Sequence, residues 1–285
     1  MDRSPIAGYS TAGMRGRVGE RRWVAFLLAL LLPAALRAQE PPIQVNPNRP
    51  TFATPALTTQ VGVAELEIGG QRSAGHDDER LSFTPFLLKV GLRKDLELRV
   101  GGNGFLRQTQ PPAPATSGLG DTTLGAQWCY LRNGPLGVDE AVQLTLKAPT
   151  ASAPKGLGSG EPDETLMLLL SRDLGAFHAD ANLLATRLGR PVAEGGGAAF
   201  QPAATLSVSR TLAEQWSLTG EVYWIGATSE NPLVVSNLWA VGYKVSPRLV
   251  LDAGLDVGLS HGAQKLSLFT GLTVGMFRLR RPPAQ

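Results

Sequence analysis

The chain has 285 residues, 27 basic and 24 acidic side chains, and 33 glycines, a share well above the usual level of about 7%. Its single cysteine, Cys129, excludes an intramolecular disulfide. Residues 1–38 hold six of the basic and two of the acidic side chains. The remaining 21 basic and 22 acidic residues are nearly balanced, which removes any electrostatic case for nucleic-acid binding.

From the N-terminus, residues 1–38 read as an export signal. Arg15, Arg17, Arg21 and Arg22 precede the apolar stretch Trp23 to Leu36, and Leu36-Arg37-Ala38 offers a small residue for cleavage. The stretch is shorter than the roughly 20 residues of a spanning helix. Met14 offers an alternative start that would shorten the basic region. Residues 39–60 are expected to form a periplasmic N-terminal segment, 61–279 a barrel and 280–285 a tail.

Period-two alternation dominates from Ala64 onward, and it marks strands with one greasy and one wet face. Ala64, Leu66 and Ile68 oppose Glu65 and Glu67; Leu96, Leu98 and Val100 oppose Glu97 and Arg99. Thr122, Leu124, Ala126, Trp128 and Tyr130 oppose Thr123, Gly125, Gln127 and Cys129. The pattern recurs over 142–148, 177–183, 216–224, 251–257 and 266–276. Less regular members lie at 81–92, 163–172, 198–210 and 233–244. The expected fold is all-β: an up-and-down antiparallel transmembrane β-barrel of about 12 strands.

Connections alternate in length. Short links at 93–95, 133–135, 173–175, 212–214 and 246–248 are separated by longer Gly-, Pro- and Ser-rich links at 73–79, 109–118, 150–162, 189–197, 227–231 and 260–263. Bacterial outer-membrane barrels have short periplasmic turns and longer outer loops. Trp128, Tyr130, Phe177, Trp216, Tyr243 and Phe277 fall near the short-turn ends, and Phe83, Phe105, Phe200 and Trp224 toward the long loops, as interfacial belts would. A soluble sandwich would share the period-two pattern; the short-long rhythm and the export signal favour closure in a membrane.

The wet face supplies the candidate pore-lining residues. They are Glu65, Glu67, Glu97, Arg99, Gln127, Gln143 and Lys147 in the first half, and His178, Asp180, Asn182, Glu221, Asp252 and Asp256 in the second. Mixed charges of this kind either tune which solutes pass or pair across a narrow barrel and plug it. His178, Asp180 and Asn182 lack a nucleophile at a recognisable motif, so no enzymatic role is expected. The stretch "KGLGSG" at 155–160 lacks the order of a phosphate loop. His76-Asp77-Asp78-Glu79 matches no ligand spacing and reads as a loop tip. Neither a cofactor nor a metal is expected.

Arg49-Pro50-Thr51-Phe52, "GVAELEIGG" at 62–70, "GLGDTTLGAQW" at 118–128 and "LKAPTAS" followed by "KGLGSG" resemble the exported transporter family of Gram-negative outer-membrane proteins named for a meta-pathway of phenol degradation. The resemblance runs from Asn46 to Phe277. It implies an outer-membrane barrel that passes small molecules, aromatic or hydrophobic ones among them, with membrane lipid as its surroundings. A monomer is expected. The runner-up is a structural or binding barrel whose lumen is filled and carries nothing. One departure stands out, because Phe277 is followed by further residues where such barrels usually end on an aromatic. A charge at Leu124 or Ala126 is expected to damage insertion, and one at Gln127 to be tolerated.

Overall fold

The computed structural model describes residues 41–192 and 195–279; the expected export signal and C-terminal tail lie outside them. The described residues form thirteen strands. They are β1 (Val63–Ala74), β2 (Arg80–Arg93), β3 (Leu96–Thr109), β4 (Thr116–Gly118), β5 (Thr122–Leu131), β6 (Val138–Ala148) and β7 (Asp163–Leu174). After these come β8 (Phe177–Gly189), β9 (Ala198–Ala213), β10 (Trp216–Ile225), β11 (Val234–Ser246), β12 (Leu249–Gly258) and β13 (Leu266–Arg278).

Twelve of these close into one antiparallel ring. Each strand pairs with its neighbours in sequence, β3 pairs with β5, and β1 closes on β13 with Leu66 opposite Val274. The short β4 is an addition, lying against the far end of β3. Closure leaves no edge, so the ladder supplies partners for the wall's backbone N–H and C=O groups. The turns at one end are tight, at 94–95, 175–176, 214–215 and 247–248, while the opposite end carries the long connections 110–121 and 149–162.

Burial in this ring is inverted relative to a water-soluble protein. Along β5, Leu124 is 52% exposed and Trp128 50%, whereas Gln127 is 1% exposed. The outer surface also exposes Leu98, Leu144, Leu166, Leu183, Leu206 and Leu268, an apolar area far beyond a scattered surface leucine. Only hydrocarbon outside makes that arrangement favourable, and it settles the choice against a sandwich.

Aromatic side chains ring the short-turn end on the outer face. Trp216 stacks on Tyr243 with ring centroids 4.6 Å apart, and Trp128 lies 5.9 Å from Tyr130. Phe105, Phe200 and Trp224 are exposed toward the long loops. Phe83 departs from the expected belt: it lies opposite Gln71, on the same face of β2 as Lys89, and therefore points into the lumen.

Candidate functional site: a charged lumen threaded by residues 42–60

The polar faces of the strands do converge on the lumen, but residues 42–60 already occupy much of it. This segment, expected in the periplasm ahead of the barrel, enters at the short-turn end, where Val45 N–H donates to the Pro247 carbonyl. It passes β1, β12 and β10 and returns along β8, β7 and β3 to Val61, which bridges to Gly91. Three of its four prolines, Pro47, Pro50 and Pro55, interrupt its middle and prevent it from adding to the sheet as a strand. Its backbone N–H groups must therefore find side-chain acceptors.

The wall supplies them one by one. Glu65 Oε2 accepts from Asn46 N at 2.9 Å, and Glu67 accepts from Asn48 N at 2.8 Å and Arg49 N at 2.9 Å. Glu221 takes Phe52 N at 2.8 Å and Ala53 N at 2.6 Å through its two oxygens. Asn182 mimics a strand neighbour for Thr54, accepting from its N–H at 2.7 Å and donating to its carbonyl at 2.9 Å. Ser171 accepts from Ala56 N at 2.7 Å, and Glu97 from Thr59 N at 2.6 Å. Gln127 donates to the Pro55 and Ala56 carbonyls at 2.9 and 3.1 Å.

Two cations complete the β1–β6 side. Lys89 Nζ lies 2.7 Å from both Glu65 and Glu67 and donates to the Asn46 carbonyl and Asn48 Oδ1 at 2.5 and 2.8 Å. Arg99 lies 3.3 Å from Glu97 and donates to Gln127 and Gln143, both at 2.6 Å. All are buried. Charges so enclosed are tolerable only while every partner is present.

Arg49 is the segment's own contribution. Its guanidinium grips Asp252 through two hydrogen bonds, at 3.1 and 2.9 Å, the fork-to-carboxylate geometry that arginine favours. The side chain lies over Gly69 and Gly271, which face each other on β1 and β13. A Cβ at Gly69 would lie 2.6 Å from Arg49 Cζ, and one at Gly271 2.5 Å from Nε. The paired glycines are the slot that admits the arginine.

The β8–β12 side is looser because its lumenal residues are small: Ser207, Ser209, Ser217, Thr219 and Gly242. A cavity of about 230 Å³ separates them from Pro47, Arg49 and Pro55 and reaches His178 and Asp180. A second, of about 250 Å³, opens at the short-turn mouth beside Glu214 and Lys244. The two share Pro47, Ser217, Gly242 and Val250, so they form one crevice beside the segment. His178 sits between Asp173 at 2.7 Å and Asp180 at 3.1 Å. Higher in the lumen Phe52 and Tyr223 have ring centroids 5.0 Å apart, Tyr223 donates to Asp256 at 2.6 Å, and Leu238, Ala240 and Phe269 form a buried apolar cluster.

Lys147 faces the lumen nearer the long loops, 2.7 Å from Asp163. Each of the thirteen candidate residues thus lies on the inner face, but Glu65, Glu67, Glu97, Gln127, Asn182, Glu221 and Asp252 touch the threaded segment directly. Sequence reasoning missed Lys89, Arg49 and Ser171. Lys89 was legible as the polar member of Leu88-Lys89-Val90. Arg49 was not, since nothing local marks a proline-interrupted stretch as internal.

Fold and site together define a class: a membrane-spanning β-barrel of the outer-membrane type, its lumen occupied by its own N-terminal segment. Residues 48–279 match the family described as "Putative MetA-pathway of phenol degradation", and the chain belongs to that family. The match includes the lumenal stretch from Asn48 onward. Among solved structures, an outer membrane channel from Pseudomonas putida F1 is 16% identical, with 81% of this chain and 99% of that one covered and a TM-score of 0.59. The NanC porin is 10% identical, covering 74% and 100%, with a TM-score of 0.54. The KdgM porin in complex with disordered oligogalacturonate is 9% identical, covering 75% and 99%, with a TM-score of 0.52. These likenesses concern the fold. No curated protein matches the chain.

Proposed function

We propose that this barrel is a passive outer-membrane channel for small molecules, aromatic or hydrophobic ones among them, and that it works as a monomer without catalysing a reaction. The observation that carries the reading is the crevice beside residues 42–60, which runs from the short-turn mouth into the lumen along Ser217, Gly242 and Val250. Serine, threonine and glycine walls leave room, and Arg49, Asp180, Glu214 and Lys244 set charges of both signs along the path. The candidate residues divide in this reading. His178 and Asp180 line the path, and the glutamates of β1, β3 and β10 hold the segment that narrows it.

An apolar solute is favoured by the exposed lumenal ring of Phe52, which lies against Tyr223 and offers apolar contact surface. The family's name supports the same direction.

The threaded segment also supports the runner-up, a barrel that stays shut. Single-channel conductance and liposome swelling on the purified full chain separate the two. The channel reading expects small but resolvable conductance, with faster entry of phenol-sized solutes than of sugars. No flux from the full chain, and none after deletion of residues 46–57, would leave the closed barrel as the function.

A further inference from the structure

The outer face of β1, β2 and β3 carries a charge cluster that transport does not use. Arg72 on β1 lies opposite Ser82 on β2, and Ser82 opposite Arg107 on β3. Arg80 stands one row nearer the long loops, opposite Ala74 and Thr109. All three arginines are exposed, and register puts them on the same outward face as Ile68, Leu88 and Val100. They line one cleft of about 650 Å³, together with Asp78 and Pro111. Among the described residues no carboxylate lies within ion-pair distance of any of them.

The rest of that rim handles charge differently: Arg187, also outward-facing near the long loops, is paired with Glu164 at 2.9 Å. Three mutually repelling guanidiniums line the cleft against one lining acid, Asp78, so none of the three is held in an ion pair. The cleft stands where the apolar wall ends. Beside it, Leu268 lies opposite Arg72 on β13 and Phe105 lies two residues from Arg107, both exposed on the outer face. An apolar groove lined by Phe105 and Leu268 opens beside Arg72, and another by Leu266 and Leu268. All three share Arg72, and the charged cleft also shares Ser82 with the first groove and Arg80 with the second.

We propose that this face binds one phosphorylated glycolipid of the outer leaflet, its phosphates held by Arg72, Arg80 and Arg107 and its acyl chains lying along Leu268 and Phe105. Guanidinium groups match phosphate oxygens in pairs, and the neighbouring grooves require an occupant with chains attached. Free phosphate would satisfy only the upper half. The site is separate from the lumen and does not depend on whether the barrel conducts.

The test uses the full chain purified in detergent and titrated with diphosphoryl lipid A, bound lipid being read by native mass spectrometry. The triple variant Arg72→Gln, Arg80→Gln, Arg107→Gln is expected to raise the half-saturating lipid concentration at least about tenfold, the scale of losing charge-assisted hydrogen bonds. Arg187→Gln is the control and should bind as the unaltered protein does. Dephosphorylated lipid A should bind weakly, and inorganic phosphate should not displace the diphosphoryl form. Equal binding by the triple variant would overturn the proposal, as would displacement by phosphate alone, which would indicate a free-anion site. Heat-modifiable migration verifies folding; if the triple variant fails it, Arg72→Gln and Arg107→Gln are read singly by the same criterion.

Discussion

Arg49 and Asp252 stand 203 positions apart in the chain, yet they form the two-pronged ion pair that fastens the lumenal segment to β12. The pair couples the chain's entry into the barrel to one of its last strands, on the side where the crevice opens. Asp252 is almost fully enclosed, so removing the arginine leaves a buried carboxylate without its cation.

Arg49→Ala is therefore expected to free the segment from β12 and widen the crevice. Single-channel recording should show conductance several times that of the unaltered barrel, with strand content unchanged by circular dichroism. Unchanged conductance would show that the segment is held without this pair.

The glycine slot offers an independent route to the same state. Gly69→Val and Gly271→Val each place side-chain atoms where the Arg49 guanidinium now lies. Both should reproduce the Arg49→Ala conductance, while Gly70→Val, at an open outward position, should conduct normally.

Lys89 holds two glutamates and two segment acceptors in a buried cluster. Lys89→Ala should lower stability by about 3–5 kcal/mol, the usual scale for stranding buried charge. The loss should appear as a lower midpoint in urea-gradient, heat-modifiability gels. Adding Glu65→Gln and Glu67→Gln should recover much of it, because the stranded charges disappear; no recovery would point to a steric rather than an electrostatic role.

The two faces of β5 can be compared directly. Leu124→Arg places a charge in hydrocarbon, at a cost of up to roughly 2–4 kcal/mol set by its depth, and should be seen as reduced insertion into vesicles. For Gln127 the structure adds a consequence to the expected tolerance. Because it accepts from Arg99 and donates to Pro55 and Ala56, Gln127→Lys sets a second cation beside Arg99 and releases the segment. This variant should insert normally and conduct more.

How much was legible follows from which forces act locally. In Leu124-Gly125-Ala126-Gln127-Trp128 each residue's face follows from the pleat, so alternation was enough to assign the wall strands, their order and most of the inward set. Lipid outside and polar groups inside are the same constraint read from its two sides. Phe83 escaped because aromatic residues suit both an interface and a lumen.

What fills the lumen depends on contacts between residues far apart in sequence. The strands place the carboxylates of Glu65, Glu67, Glu97, Glu221 and Asp252 inside against the cations of Lys89 and Arg99. That acceptor excess is visible in the sequence, but nothing in it names the donors. The sequence by itself determined the wall, since period two and the surrounding solvents leave one solution. Only the tertiary structure decided that Asn46 to Thr59 supply the missing N–H donors, because an unpaired proline-interrupted stretch has no periodicity and finds its partners only once the barrel has closed around it.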